Sequence, residues 1–126
     1  MNAIFAISLG AAFGALARWG LGLWLSPGGL IPWGTLAANL IGAYLIGICM
    51  AVFNALPQLD PSWRLLLVTG FLGALTTFSS FSAEVVGMLM QQRYVTALGT
   101  ASVHLLGSLM LTAAGLWTAQ LLLPSP

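Results

Sequence analysis

The sequence predicts an all-α membrane protein with four transmembrane helices, the third broken near its middle. Three observations carry this reading. Of 126 residues, 60% are hydrophobic and 4% charged, with a mean hydropathy of +1.02. A soluble domain carries about a quarter charged residues, so this much apolar surface needs a bilayer. Four hydrophobic segments each reach the roughly 20 residues that cross a bilayer. With short loops they use up the length, leaving one domain, 1–126, and no soluble part. Finally, Gly70 to Glu84 lies within one of these segments yet holds two glycines, five hydroxyls and a carboxyl group. Lipid offers such groups no hydrogen-bond partner, so each must face protein or water.

The first span covers residues 4–25 and ends at the turn Ser26-Pro27-Gly28-Gly29. No basic stretch precedes it and it continues through Arg18, which reads as a mature span and not a cleaved signal peptide. The second covers 32–54, opening on Pro32, a residue suited to the first helical position. Asn54 to Ser62, with two prolines and Asp60, forms the next loop. The third covers 63–90 and is closed by Gln91-Gln92-Arg93. It is long for one straight crossing, which suits a tilted or broken helix. Gly73-Ala74-Leu75-Thr76-Thr77 is the expected break, because Gly weakens a helix interior and Thr is a poor helix former. The alternative is a continuous helix packed closely at Gly70 and Gly73. The fourth span covers 95–122, before Pro124-Ser125-Pro126. Trp24, Trp33, Trp63 and Trp117 fall near span ends, where indoles anchor at the interface; Trp19 lies deeper.

Charge excludes some functions and leaves orientation open. The net charge is +1, without lysine, so there is no nucleic-acid footprint. Arg64 and Arg93 flank opposite ends of the third span, and loop positive charge is what fixes insertion. Insertion both ways, giving an antiparallel dual-topology homodimer, and ordinary insertion one way are both compatible with this count. The single Cys49 lies in an apolar run and reads as a packing residue.

Polar residues at membrane depth form several constellations. Thr100, His104, Ser108 and Thr112 follow strict i, i+4 spacing, a stripe about 18 Å long. A single such hydroxyl usually bonds back to its own helix, but four in register with a His suit a transport path. Thr35 and Asn39 share a face of the second span, where Asn is either interhelical glue or a neutral donor to an anion. Phe78 and Phe81, three apart, are packing residues or present positive ring edges to an anion. Ser79, Ser80 and Glu84 bracket them, and the Ser80 hydroxyl stands one turn from the Glu84 carboxyl. A break at Gly73 to Thr77 would free carbonyls that can bind a cation. Gly10, Gly14, Arg18 and Gly22 form a stripe for close helix approach, with an arginine that snorkels or attracts anions. No basic ring accompanies it, so anion selectivity would rest on neutral donors. The chain has no nucleophile elbow, metal spacing or phosphate loop, and is not read as an enzyme.

Gly14-Ala15-Leu16-Ala17-Arg18, Gly34-Thr35-Leu36-Ala37-Ala38-Asn39-Leu40-Ile41-Gly42 and the run from Gly70 to Glu84 resemble the small bacterial fluoride-channel family, Fluc or CrcB. The resemblance covers essentially the whole chain. It implies a passive, fluoride-selective channel in the bacterial inner membrane, exporting fluoride through two pores of an antiparallel homodimer embedded in lipid. It also implies Asn39 as a pore donor, with Phe78 and Phe81 as ring edges along the path. Ser79, Ser80 and Glu84 would belong to the polar path, and His104, Ser108 and Thr112 to a hydroxyl-rich track. Gly73 and Thr76 would give backbone carbonyls to a central sodium ion on the two-fold axis, and Arg18 matches an arginine at a pore vestibule. The rival is a small proton-coupled multidrug-type exporter. That class depends on a carboxylate in its first span, whereas the only acid at membrane depth here is Glu84 in the third.

Overall fold

A computed structural model of the chain describes residues 1–124, so the last two residues of the closing Pro124-Ser125-Pro126 lie outside the described residues. Four helices are long and apolar enough to cross a membrane. The first two are α1, Ala3–Leu25, and α2, Trp33–Ala55. The third crossing, Pro61–Met90, is interrupted at Thr76 and Thr77 into α3, residues 61–75, and α4, Phe78–Met90. The fourth is α5, Tyr94–Leu122.

The helix ends follow from local chemistry. Asn2 Oδ1 accepts the N–H groups of Ile4 and Phe5, at 2.8 and 3.3 Å, and caps α1. Pro32 stands just outside α2, not inside it as its first residue, and the Gly34 N–H donates to Ser26 Oγ at 2.7 Å. Asp60 caps α3 by accepting the Ser62 N–H at 2.9 Å, and Pro61 takes the first helical position. The third crossing therefore begins before residue 63, since a polar cap and a proline escape a hydrophobic count. The bonds from Ser62 hold the Asp60 carboxyl below the usual carboxylate range. At the end of α4 the Arg93 N–H reaches Met88 O and the Gln92 N–H reaches Leu89 O, the paired bonds that turn a chain out of a helix. Gln92 sits at φ 61 to make that turn.

Small residues make the interior. Ala6 and Ala38 are completely covered, whereas Phe13 is 63% exposed and Trp117 64%. This inverts a soluble protein. Lipid is as apolar as a leucine side chain, so helices associate through close backbone contact. Along the α1–α3 seam a methyl group on Gly10 would overlap Leu66 O, and one on Gly14 would overlap Phe71 O. Along the α2–α5 seam a methyl on Gly47 would overlap Thr112 O, and one on Gly115 would overlap Tyr44 O. Gly34 rests on Gly22 and joins α2 to α1. Ala38, Leu72 and Leu75 form a buried cluster against which Phe71 and Cys49 pack.

Two stretches depart from α geometry. Leu65–Leu72 in α3 and Val103–Gly107 in α5 wind as π-helix, with i to i+5 hydrogen bonds and a wider turn.

The seams predict a contrast between two glycines. Gly115→Ala is expected to destabilise the protein by about 1–3 kcal/mol through overpacking. Gly99, whose added methyl meets nothing within 4 Å, should tolerate Ala or gain up to ~1 kcal/mol of helix propensity. Thermal unfolding midpoints in detergent check this; equal midpoints for the two variants contradict the seam.

Candidate functional site

The break organises everything around it. Thr76 turns to ψ 154 and Thr77 is extended, with φ −151 and ψ 116. Two threonines with stiff β-branched side chains accept this extended step readily. The Thr77 hydroxyl then caps α4 by accepting the Ser80 N–H at 3.1 Å. The carbonyls and amides that the helix no longer joins need other partners.

Asn39 supplies most of them. Its Oδ1 accepts the Thr77 N–H at 2.8 Å and its Nδ2 donates to Thr77 O at 3.1 Å. The side-chain amide thus behaves as a second peptide beside the chain. Since Thr77 N can only donate, the Asn39 amide orientation is fixed. Nδ2 also lies 3.1 Å from His104 Nδ1, so that nitrogen accepts and the imidazole proton resides on Nε2. His104 is 5% exposed, and its Nε2 is buried without a protein partner. The His104 ring lies 4.4 Å from the Phe81 ring, which stands 5.6 Å from the Phe78 ring at a 59° tilt. Asn39 is therefore interhelical glue in this arrangement, and both of its N–H groups are engaged.

Thr35, one turn earlier on α2, serves Glu84. Its hydroxyl donates to Glu84 Oε2 at 2.6 Å, while Oε1 is buried without a partner. The carboxyl finds its one partner across the bundle in Thr35 and not in Ser80 on its own helix. Ser79 Oγ instead lies 3.3 Å from Thr77 Oγ1 in an exposed position.

A cavity of about 520 Å³ opens between α2, the break and α5. Asn39, Gly73, Thr76, Phe78, Phe81, His104, Ser108 and Thr112 are on its wall. Thr35, Ser79, Ser80 and Glu84 are not, so the expected pore residues divide into two groups; Arg18, expected at a vestibule, is also off this wall. Every polar group on the wall is neutral or a backbone carbonyl. Thr112 donates to Ala43 O at 2.9 Å, which ties α5 to α2 and occupies its proton. Thr100 leaves the stripe: it donates to Met88 Sδ at 3.5 Å and lines a separate 290 Å³ pocket that shares only His104 with the larger one. The π turn at Val103–Gly107 explains the remainder. Four-residue spacing drifts around an α-helix, and a wider turn offsets that drift, keeping His104, Ser108 and Thr112 on one wall.

Gly73 and Thr76 both border the cavity. In a continuous helix the Thr77 N–H would bond Gly73 O, but Asn39 takes it, so the Gly73 carbonyl is left free. Thr76 O likewise lies where the helical pattern stops. Among the described residues no cluster of His, Cys, Asp or Glu is placed to hold a metal. Arg18 stands behind the break, its Nε donating to Ala74 O at 3.0 Å. Thr77, which was not singled out as a site residue from the sequence, is the hub of the site. Its signal was a threonine three residues ahead of Ser80, at the start of the polar run.

A family model described as CrcB-like protein, Camphor Resistance (CrcB), matches residues 5–116. A protein from Albidiferax ferrireducens named Fluoride-specific ion channel FluC is 70% identical over 123 residues, covering 98% of this chain and 95% of its own. Proteins of the same name from Paracidovorax citrulli and Variovorax paradoxus are 66% and 64% identical. The first covers 92% of each chain, the second 94% of this chain and 95% of its own. With the broken third crossing and its neutral, membrane-depth cavity, the chain belongs to the CrcB family.

Proposed function

We propose that this chain is a fluoride-selective ion channel that lets fluoride leave the cytoplasm passively across the bacterial inner membrane. The observation that carries the reading is a cavity between membrane-spanning helices whose wall holds neutral donors and two phenylalanine rings and no charged side chain. Relatives up to 70% identical over nearly the whole chain bear the name of a fluoride-specific channel. Fluoride is small and holds its water strongly. A pore must replace that water with hydrogen bonds while leaving the ion free to depart. The Ser108 hydroxyl and the His104 Nε2–H are donors of this kind, and Asn39 holds His104 in place behind them. The edges of Phe78 and Phe81 add a positive quadrupole face.

The functional unit in this proposal is an antiparallel homodimer with two pores. Phe78 is 79% exposed, and Leu105 and Leu109, beside it on the cavity rim, are 61% exposed. A second copy would cover this flank. Across a two-fold axis the Gly73 and Thr76 carbonyls would double to four oxygens, a set that suits sodium, which would neutralise their converging partial charges. Glu84, Ser79 and Ser80 would line the approach to the cavity.

Three measurements test the proposal. Liposomes holding the purified protein should release fluoride much faster than chloride, with no proton gradient. Phe78→Ile and Phe81→Ile should each lower that flux roughly threefold to tenfold, the worth of an aromatic edge, while the protein still assembles. Asn39→Asp should block it, and Ser108→Ala should act mildly. If both Phe variants conduct like the parent, the rings are packing only. If flux needs a proton gradient and is lost in Glu84→Gln, the exporter reading replaces the channel.

In a Cys49-free background, a single cysteine at Gln91 should react with impermeant reagents from both membrane faces. Reaction from one face alone defeats dual topology. Exhaustive removal of sodium should reduce flux or dimer stability; if neither changes, the carbonyl site has no role.

A further inference from the structure

We infer that Arg18 is a positioning residue that terminates the first half of the broken crossing, and so aims the free carbonyls beside it. The inference rests on the channel reading for its flux readout, but its structural basis is independent.

In an unbroken helix Ala74 O would accept the Phe78 N–H. The extended step at Thr76 and Thr77 withdraws that partner. Arg18 Nε replaces it at 3.0 Å, in a partly buried setting and from a helix 56 residues away in sequence. The placement is built in. Gly10, Gly14 and Arg18 follow each other at one-turn intervals on α1. Gly10 meets the backbone at Leu66 and Phe71, Gly14 meets it at Phe71 and Leu75, and Arg18 reaches the last turn at Ala74. The two glycines leave no room for a methyl, so α1 is held at a fixed height against α3. A guanidinium cannot be discharged in a protein and makes a charge-assisted bond to the carbonyl. Three neighbouring carbonyls are thereby sorted. Ala74 O is satisfied from behind by Arg18, while Gly73 and Thr76, on the cavity wall, keep theirs unclaimed. Without Arg18 a partly buried carbonyl at Ala74 is stranded, the last turn frays, and its neighbours lose their direction.

A guanidinium that merely attracted anions would need no backbone contact, and its effect would fade as salt screens it. The experiment separates the two roles. Parent, Arg18→Lys and Arg18→Gln are reconstituted as full-length channels. Three quantities are measured: fluoride flux at low and high ionic strength, the sodium concentration giving half-maximal flux, and hydrogen exchange of the peptide containing residues 74–79. Loss of a charge-assisted bond should raise the sodium requirement of Arg18→Gln about tenfold or more and speed exchange at the break. Arg18→Lys retains a cationic donor and should recover most of both. Parental exchange in Arg18→Gln overturns the inference, as does a flux defect that disappears at high salt with the sodium midpoint unmoved. If the parent itself shows no sodium dependence, the sodium site of the channel reading fails, and exchange alone decides the role of Arg18. Should Arg18→Gln not assemble, leucic acid in place of Leu75 makes the Ala74 carbonyl a weaker ester acceptor. Flux should then fall relative to leucic acid in place of Leu116, far from the break; equal flux overturns the inference.

Discussion

An interrupted backbone at membrane depth is the constraint on which this structure depends. Each unsatisfied peptide group there costs several kcal/mol, so the interruption survives only if side chains stand in for the missing peptides. The Asn39 amide does this at Thr77, offering a donor and an acceptor from one planar group. Asp lacks the donor and Leu lacks both. The direction of α4, and with it the positions of Phe78 and Phe81, follows from this one clasp. The same amide orients His104 through Nδ1, and by claiming the Thr77 N–H it leaves Gly73 O open. Two aromatic rings, an imidazole donor and a bare carbonyl are thus set by a single residue.

The clasp holds because α2 delivers a second bond from the same face. Thr35 and Asn39 lie one turn apart and secure Glu84 on α4 and His104 on α5 in turn. Both bonds are directional, which matters where apolar contact with lipid and with protein are nearly equivalent. Close packing supplies the remainder. The interior is filled by Ala and Gly with peptide carbonyls against them, and large side chains are left outside to meet acyl chains.

Much of this was legible in the sequence. Length and composition expose the four crossings, and Gly73 with two threonines exposes the interruption, because those features are local. The helix ends at Pro61 and Trp33 differ from hydropathy because polar caps and prolines escape that count. Thr100 departs from its stripe because a π turn alters the phase of α5, and no residue spacing announces a π turn. Glu84 finds Thr35 and not Ser80 because its partner was set by helix packing, which a one-dimensional pattern does not contain. Asn39 could be read as glue or as a donor. Here both of its N–H groups act as glue at the point where the cavity begins.

The glycine seams carry a consequence for motion. They lock α1 to α3 and α2 to α5 by backbone contact, leaving neither pair room to slide. Packed helices with such seams do not drift continuously; they hold or they separate. Mobility is then left to rotamer flips of side chains along the cleft between the pairs, such as Phe78, which is exposed in the single chain. Such exposed flips take picoseconds to nanoseconds, whereas collective helix movements take microseconds or longer. In the proposed channel the cleft would carry the fast motions and the helix seams the slow ones, the opposite of a carrier that must rearrange its fold for every cycle.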